Sequence, residues 1–346
     1  MTSIVRTLSR GLMAAAIAGF VVASAGHADA ADKKYKIALS NSYIGNAWRV
    51  QMINLMNAYA KDNYGDKVEF TVTSTGADVQ KQIAAIQDMI SQGVDAILIN
   101  PASDTALNPV IEEATEQGIV VVDFDQVVTA PSAYKINVDF VKMGELHAQW
   151  LVDQLGGKGK VIINRGVSGF QADRDMHIGN MNVFNKYPGI EVVTEIYGKW
   201  DDGVTQAELT KALTAHPDVA GVTNQAGEYG ALQALLNLNY KLIPMTGEGT
   251  NGWRIAMEEY KDKGLKGLSA GEPPLVGAYA LKTAVDILEG NPPADKQMWV
   301  QLPVVTTDNL QPGVNVFPEA PHTLFADLEV PGTGITATVK EALGEE

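Results

Sequence analysis

Short apolar runs alternate with helix-like patterns along most of the chain from residue 35 onward. The run KIALSN (36–41) is followed by AWRVQMINLMNAYAKDNYG, whose apolar residues recur with helical spacing up to Gly65. The alternation continues through the apolar runs VEFTVTS, DAILIN, IVVVDFD, KVIINRG, IEVVTEIYG, VAGVTN, LIPMTG and LKGLSAG. Continuous apolar strands between amphipathic helices are typical of parallel sheets covered on both faces. The pattern therefore predicts an α/β fold.

The strand and helix units fall into two sets of similar length, which predicts two similar Rossmann-like lobes with parallel sheets. A chain of 346 residues is also longer than one compact core usually holds. The pattern breaks at three places, which we expect to form a three-strand hinge: INVDF (136–140), LSAGE (268–272) and LPVVT (302–306). The predicted domains are an N-terminal lobe of residues 31–138 and 272–303, and a C-terminal lobe of residues 139–271 and 304–346.

The first thirty residues have a different composition. Arg6 and Arg10 are followed by the uncharged run GLMAAAIAGFVVASAG and by the small-residue pattern ADA (28–30). This order is typical of a signal peptide (1–30) that is cleaved near Ala30. A membrane anchor is the alternative, but the uncharged run is shorter than the roughly 20 apolar residues that a span needs. We expect an exported protein in a bacterial periplasm.

The charge balance limits the possible partners. The net charge is -15, the isoelectric point is about 4.8, and the chain has no cysteine. An acidic surface repels phosphate backbones, so nucleic acid is not an expected partner. A sugar-responsive repressor would also need a basic DNA-binding segment where the signal-like residues lie. We expect a monomer without disulfides.

Polar and aromatic residues follow the predicted strands. Because strand-to-helix loops of a parallel sheet meet at one edge, ligands bind there. Aromatic faces cover the C–H face of a sugar ring, and polar side chains satisfy its hydroxyls. Single members also have simpler structural roles, such as a helix cap or a turn. Twelve residues are the candidate ligand-binding set: Ser42, Asn46, Trp48, Arg49, Asp125, Gln126, Arg174, Trp200, Asp201, Gln225, Glu248 and Glu272.

The stretch GEGTNG, from Gly247 to Gly252, matches the dinucleotide-binding pattern G-x-G-x-x-G. A single match is weak, and this one lies late in the second set of strands. We expect Gly247 and Gly249 to let the chain turn sharply and bring Glu248 to the cleft. Enzyme alternatives are a metal at DFD (123–125) or an acid pair of Asp125 and Glu248 for glycoside hydrolysis. No catalytic Ser, Cys or His motif supports them.

Several segments together resemble the type I periplasmic sugar-binding proteins, the group of the ribose- and galactose-binding proteins of ABC importers. They are KIALSNSYIGNAW, QDMISQGVDAILINP, IVVVDFDQ, ALTAHPDVAGVTNQ and LIPMTGEGTNG, in this order behind the signal-like residues. The resemblance covers nearly all of the chain after residue 30. It implies the periplasmic binding protein type I fold, in which two lobes close on a ligand by hinge bending.

The resemblance also assigns roles to particular residues. Asn46 and Trp48 match the family's Asn-x-aromatic at the start of the first helix. Asp125 matches the strand-end Asp that grips ring hydroxyls, and Trp200 with Asp201 matches the aromatic-Asp pair of the second lobe. Trp48 and Trp200 are therefore expected to enclose the ligand between them. Two further matches are Gln225, at the family's Asn or Gln, and Glu248, at its strand-end acid.

The chain departs from the family pattern within the ligand shell. Arg49 stands where many members have a second aromatic, and Gln126 stands where the ribose binders have Arg. Met176 occupies the position of the family arginine, with Arg174 two residues earlier, and Gly271 replaces a glutamine near the second hinge. Ribose itself is therefore not implied.

The resemblance implies a solute-binding protein without catalytic activity, metal or cofactor. We expect it to capture a monosaccharide or polyol and deliver it to the membrane permease of an ABC importer. The alternatives are a sugar sensor for a chemoreceptor and a binder of a small polar ligand that is not a sugar.

Overall fold

The computed structural model describes residues 34–345, and the predicted signal peptide (1–30) lies outside them. The first part of the chain alternates strands and helices as the apolar pattern predicts. Its elements are β1 (Tyr35–Asn41), α1 (Ala47–Tyr64), β2 (Val68–Ser74), α2 (Val79–Ser91), β3 (Ala96–Asn100), α3 (Asn108–Glu116), β4 (Val120–Phe124), β5 (Tyr134–Asn137) and α4 (Phe140–Leu155).

The alternation continues in the second part and becomes irregular near the carboxyl terminus. The elements are β6 (Lys158–Arg165), α5 (Gln171–Phe184), β7 (Gly189–Tyr197), α6 (Asp202–Ala215), β8 (Val219–Asn224), α7 (Glu228–Asn237), β9 (Met245–Gly247), α8 (Asn251–Tyr260), a 3₁₀ turn (Lys261–Lys263), β10 (Gly267–Ala270), α9 (Val276–Leu288), β11 (Gln297–Trp299), β12 (Val304–Thr306), β13 (Glu329–Val330), β14 (Ile335–Thr336) and α10 (Val339–Leu343).

Two six-stranded sheets form the framework of the described chain. The first has the order β11-β5-β4-β3-β1-β2, and all of its strands are parallel. The second has the order β12-β10-β9-β8-β6-β7 and is parallel except for its edge strand β12, which runs antiparallel to β10. The predicted α/β fold with two parallel-dominated lobes is confirmed.

The inner strands of each sheet are covered on both faces, which explains why they are almost continuously apolar, whereas the edge strands β2 and β7 contain exposed residues. Helices α1 and α9 cover one face of the first sheet, and α2 and α3 cover the other. In the second sheet, α6, α7 and α8 cover one face, and α4 and α5 cover the other. Among residues 34–345 no helix is both long and apolar enough to span a bilayer.

The segment after β12 is divided differently from the prediction, which placed residues 304–346 with the C-terminal lobe. β12 pairs within the second sheet, but Leu324, Phe325 and Val330 are buried in the cluster on the α1 side of the first sheet. α10 packs directly on α1. The apolar residues of this Pro-rich segment have no regular spacing, so periodicity gave no sign of where they pack.

Candidate ligand-binding site

A cleft of about 570 Å³ lies where the carboxyl ends of the two sheets face each other. The loops after β1 and β4 line it from the first sheet. The loops after β7, β8 and β9 line it from the second sheet, together with the segment between β10 and α9. This is the edge at which ligands bind in open parallel sheets.

The cleft brings together nine of the twelve candidate residues. These residues come from five different strand-end segments and include two tryptophans, an arginine and four carboxylic acids. They are Asn46, Trp48, Arg49, Asp125, Gln126, Trp200, Asp201, Glu248 and Glu272.

The structure places the other three candidates away from the cleft wall. Ser42 is completely buried, and its backbone N–H donates to Asn100 O at 3.0 Å. Gln225 is also buried and holds neighbouring backbone, since its amide accepts from Gly166 N–H at 2.9 Å. The guanidinium of Arg174 is half exposed and pairs with Asp104 at 3.2 Å, outside the lining.

Arg49 is the buried cation of the cleft. Only 4% of its surface is exposed, and its Nη2 lies 2.8 Å from Asp125 Oδ2. Its Nη1 donates to Asn41 Oδ1 at 3.3 Å, and the guanidinium lies 5.2 Å from the centre of the Trp48 ring. Trp48 in turn donates its indole N–H to the Glu272 carbonyl at 2.8 Å. These contacts hold a charged group and an aromatic ring in fixed positions at the cleft.

Asp125 and Glu272 form an acid pair next to this arginine. Burial raises the pKa of both carboxyls, and that of Glu272 rises furthest because the Asp125 charge and hydrogen bond add to the burial. Arg49 opposes the rise in the pKa of Asp125. Glu272 Oε1 accepts from Val138 N–H at 3.2 Å, whereas Oε2 receives no donor from the described residues. The pair therefore places Glu272 Oε2, which has no donor among the described residues, beside the ion pair of Arg49 and Asp125.

Glu248 and Glu228 form a second acidic region. Glu228 is completely buried and accepts a hydrogen bond from Thr250 Oγ1, while its Oε2 has no donor within residues 34–345. The carboxyl of Glu248 faces the cleft and receives no hydrogen bond from the described chain. Burial, followed by repulsion from neighbouring acids, raises the pKa of Glu228 to about 7 and that of Glu248 to about 8. Near neutral pH these groups can accept or donate hydrogen bonds.

Aromatic rings form part of the cleft wall that the loops of the second sheet provide. Trp200 lines the cleft and packs edge-to-face on Phe170, with ring centres 5.6 Å apart. Phe170 lies 6.5 Å from Tyr43, which lines the cleft from the first sheet. A Cβ at Gly166 would collide with the Trp200 indole nitrogen, so glycine there permits the ring to lie against the backbone. That Trp48 and Trp200 enclose the ligand stays a prediction.

The backbone of the cleft loops is strained. Among the described residues, six non-glycine residues have positive φ, and four of them line the cleft: Asp125, Lys199, Trp200 and Ala226. Such conformations are uncommon for residues with a side chain and concentrate at binding sites. They persist because neighbouring contacts hold the loops in place.

Buried asparagines at the strand ends provide those contacts. Asn100, at the end of β3, donates to Asp125 Oδ2 at 3.0 Å. Asn164 donates to the Ala226 carbonyl at 3.1 Å and accepts from Gly198 N–H at 2.9 Å. Asn224 donates to the Thr246 carbonyl at 2.8 Å. These amides link the cleft loops to the rigid strands, which positions the groups that line the cleft.

The glycines of GEGTNG act differently from the prediction. Glu248 does reach the cleft, but Gly247, Gly249 and Gly252 do not have positive φ. A Cβ would collide with Glu228 at Gly247 and with Asp327 at Gly249. The glycines are therefore required for close packing and not for a left-handed turn.

Several residues that line the cleft were not among the predicted candidates. Tyr43 and Asp202 each lie within a few positions of a candidate, so a wider window around each strand end would have included them. His322, Thr323 and Phe325 lie in the irregular carboxyl-terminal segment, where no pattern marked them. Within residues 34–345 no group of three or more His, Cys, Asp or Glu side chains is arranged to hold a metal ion, and DFD (123–125) is no exception.

Comparison with known proteins agrees with this architecture. Residues 37–292 match the family model described as "Periplasmic binding protein domain". The ribose import binding protein of Bacillus subtilis (strain 168) is 31% identical over 261 residues, which cover 75% of this chain and 83% of that protein. A xylitol-binding protein of Mycolicibacterium smegmatis is 27% identical over 259 residues, which cover 74% of this chain and 72% of that protein.

A solved structure shows the same fold. The ABC transporter solute binding protein from Thermobispora bispora superposes with a TM-score of 0.71 at 32% identity, covering 78% of this chain and 85% of that one. The family model spans nearly all of β1, the strands β2 to β10 and all of the strand-end loops that line the cleft, whereas the edge strands β11 and β12 follow it. The chain therefore belongs to the periplasmic binding protein domain family, and its resemblance to the type I sugar-binding proteins is confirmed.

Proposed function

We propose that this protein is a periplasmic solute-binding protein that captures a monosaccharide or polyol in the cleft and delivers it to the membrane permease of an ABC importer. One observation carries the proposal. The ion pair of Arg49 and Asp125 stands beside carboxyls that receive few or no hydrogen bonds, at the sheet edge where ligands bind. Polar groups placed in a cleft without protein partners are suited to hydroxyls of a ligand.

The chemistry of the cleft supports a polyhydroxylated ligand. A sugar hydroxyl can donate to Asp125 and accept from Arg49 at the same time. The volume of about 570 Å³ suits a small ligand. The names of the relatives, a ribose import binding protein and a xylitol-binding protein, support the same ligand class.

The acids also select against anionic ligands. Asp201 and Asp202 line the cleft, and Arg49 is already paired with Asp125. A phosphate or carboxylate would be repelled here, because close like charges are destabilising. A neutral polyol is therefore favoured over a sugar phosphate.

Contacts across the cleft rim support closure around a hinge. Gln126 Oε1 accepts from Gln171 N–H at 3.0 Å, and Gln171 Oε1 accepts from Val127 N–H at 2.8 Å. Arg174 and Asp104 add an exposed ion pair across the same rim. Rim contacts of this kind would break when the lobes separate to admit a ligand. A bound ligand would stay enclosed as long as these rim contacts are present.

Location and partners follow from the same proposal. The signal-like residues (1–30) would direct export, with cleavage near Ala30, and the protein would act as a monomer in the periplasm. The closed form would present residues of both lobes to the permease. No catalytic step is proposed, because the family is one of binding proteins.

The test is a thermal-shift panel on the mature chain, residues 31–346, after denaturation and refolding to remove any bound ligand. The panel contains pentoses, hexoses, polyols, their phosphates and small non-sugar solutes. A ligand that binds only the native state raises the melting temperature. We expect a rise with one neutral sugar or polyol and none with its phosphate. A rise with non-sugar solutes alone would contradict the proposal.

A further inference from the structure

The C-terminal strap, defined as residues 315–327, lies outside the matched family segment (37–292) and contacts both sheets' helices. It follows β12 and precedes β13, and it has almost no regular secondary structure. Three of its residues nevertheless line the cleft. Its contacts explain how an irregular segment is held there.

The strap docks on the start of α8 through the backbone of the GEGTNG stretch. Asn251 N–H donates to Leu324 O at 2.7 Å, and Gly252 N–H donates to His322 O at 2.9 Å. Ala326 N–H donates to Gly249 O at 2.7 Å. Thr250 provides no side-chain cap, so the strap satisfies N–H groups that the first turn of a helix leaves free.

A buried ion pair anchors the same region. Arg254 is completely buried, and its Nη2 lies 2.8 and 2.7 Å from the two carboxylate oxygens of Asp327. Its Nη1 donates to Asn315 O at 3.0 Å, and its Nε donates to Ser269 Oγ at 2.9 Å. Both ends of the strap are thereby joined to α8.

The strap also binds α1, which belongs to the other sheet. Gln51 Nε2 donates to Phe325 O at 2.9 Å, and Phe325 N–H donates to Gln51 Oε1 at 2.8 Å. The strap is therefore fixed from both sides of the cleft, by hydrogen bonds to its backbone and by the ion pair of Arg254 and Asp327.

These contacts direct side chains toward the ligand space. Phe325 lines the cleft and is 6% exposed, whereas His322 and Thr323 are exposed where they line it. The His322 ring packs edge-to-face on Tyr229, with centres 4.8 Å apart. From this placement we infer that the C-terminal strap is a wall of the binding cleft and that Phe325, His322 and Thr323 set the size of ligand it accepts. The inference rests on the proposed function.

Two substitutions should change ligand preference in opposite directions. Phe325→Ala removes a large ring from the wall, so the variant should favour larger ligands. Thr323→Trp adds bulk at an exposed position and should favour smaller ligands without unfolding the chain. Val314→Ala is the matched control, because Val314 precedes the strap and is 65% exposed. If the strap only stabilised the fold, the two variants would not shift the preference for ligand size in opposite directions.

The measurement is calorimetric titration with pairs of ligands that differ by one hydroxymethyl or hydroxymethylene group: ribose with allose, xylose with glucose, and xylitol with sorbitol. For the pair that the wild type binds, the ratio of the larger ligand's affinity to the smaller one's should rise by about fivefold in Phe325→Ala and fall by about fivefold in Thr323→Trp. Such factors match the value of one methylene-sized group in a pocket.

The outcomes separate the two claims. If wild type and Val314→Ala bind a pair and the Thr323→Trp ratio is unchanged, the strap does not set ligand size, although the proposed function stands. The Thr323→Trp result decides this even if Phe325→Ala does not fold. If the refolded wild type binds no sugar or polyol, the proposed function fails and the inference fails with it.

Discussion

The guanidinium of Arg49, in the first turn of α1, lies 2.8 Å from the carboxylate of Asp125, which directly follows β4. Both residues line the cleft and are more than nine-tenths buried. Burying two charges is favourable only when each is well paired. We expect the pair also to exchange hydrogen bonds with a ligand. The same two residues would then contribute both to the stability of the folded protein and to its affinity for the ligand.

Replacing Asp125 by Asn should therefore weaken binding strongly. The change leaves Arg49 buried without its carboxylate partner and removes a charged acceptor for the ligand. Hydrogen bonds to charged groups contribute about 1.5–3 kcal/mol, so we expect a loss of roughly 10- to 100-fold in affinity by calorimetry. Asp308→Asn, on an exposed loop, is the control. Equal affinities of Asp125→Asn and wild type would exclude a direct role for the pair.

Stability should fall as the pH rises because of the acids around Glu248. The pKa of Glu228 is about 7 and that of Glu248 about 8, whereas an unperturbed glutamate titrates near 4.3. Between these values the folded chain holds protons that the unfolded chain has released, so the free energy of unfolding decreases with pH. The contribution is fully present below about pH 4 and lost as the pH rises through 7 to 8.

Urea denaturation between pH 5 and pH 9 measures this effect. Glu248→Gln should flatten the decrease, because it removes one of the two titrating groups and the repulsion between them. Glu319→Gln, on an exposed turn, should follow the wild-type curve. A Glu248→Gln curve parallel to wild type would show that Glu248 titrates normally.

Trp200→Ala should reduce ligand affinity by about tenfold, because aromatic contact with a ring adds roughly 0.5–1.5 kcal/mol beyond area burial. Trp200 lines the cleft from the loop after β7 of the second sheet. Trp299→Ala is a matched control, since Trp299 is 58% exposed and lies at the edge strand β11. The titration compares both variants with wild type, and a normal affinity in Trp200→Ala would refute the ring contact.

The rim ion pair of Arg174 and Asp104 should affect the rate of ligand release more than the fold. Exposed pairs contribute at most about 1 kcal/mol, so Arg174→Ala should speed dissociation by no more than about fivefold. Lys211→Ala breaks a comparable exposed pair with Glu208 that lies on α6, away from the rim. Stopped-flow fluorescence gives both rates. Identical rates in the two variants would indicate that the rim pair does not hold the closed form.

Much of the cleft could be predicted because its residues occupy strand ends. Asp125, Trp200 and Glu248 each lie just after a strand, and parallel strands bring their carboxyl ends to one edge. Residue type alone could not separate Gln225 from Gln126. Both follow a strand and both are buried, but the first holds the backbone of Gly166 while the second lines the cleft.

The C-terminal strap could not be predicted from local pattern. Its position depends on pairings across long separations, such as Gln51 with Phe325 and Arg254 with Asp327. The strap members of these pairs, Phe325 and Asp327, lie in a segment whose apolar residues have no helix or strand spacing. The GEGTNG glycines are visible in the sequence, but the close approach of Glu228, Asp327 and His322 that requires them is seen only in the folded chain.

The central claim is that the cleft binds a neutral sugar or polyol through the pair of Arg49 and Asp125. Calorimetric titration of the refolded mature chain with the best ligand of the thermal-shift panel, in parallel with Asp125→Asn, tests it most directly. We predict saturable binding at one site per chain and an affinity that is at least about tenfold lower in the variant. Binding of similar strength in both proteins, or no saturable heat in the wild type, would contradict it.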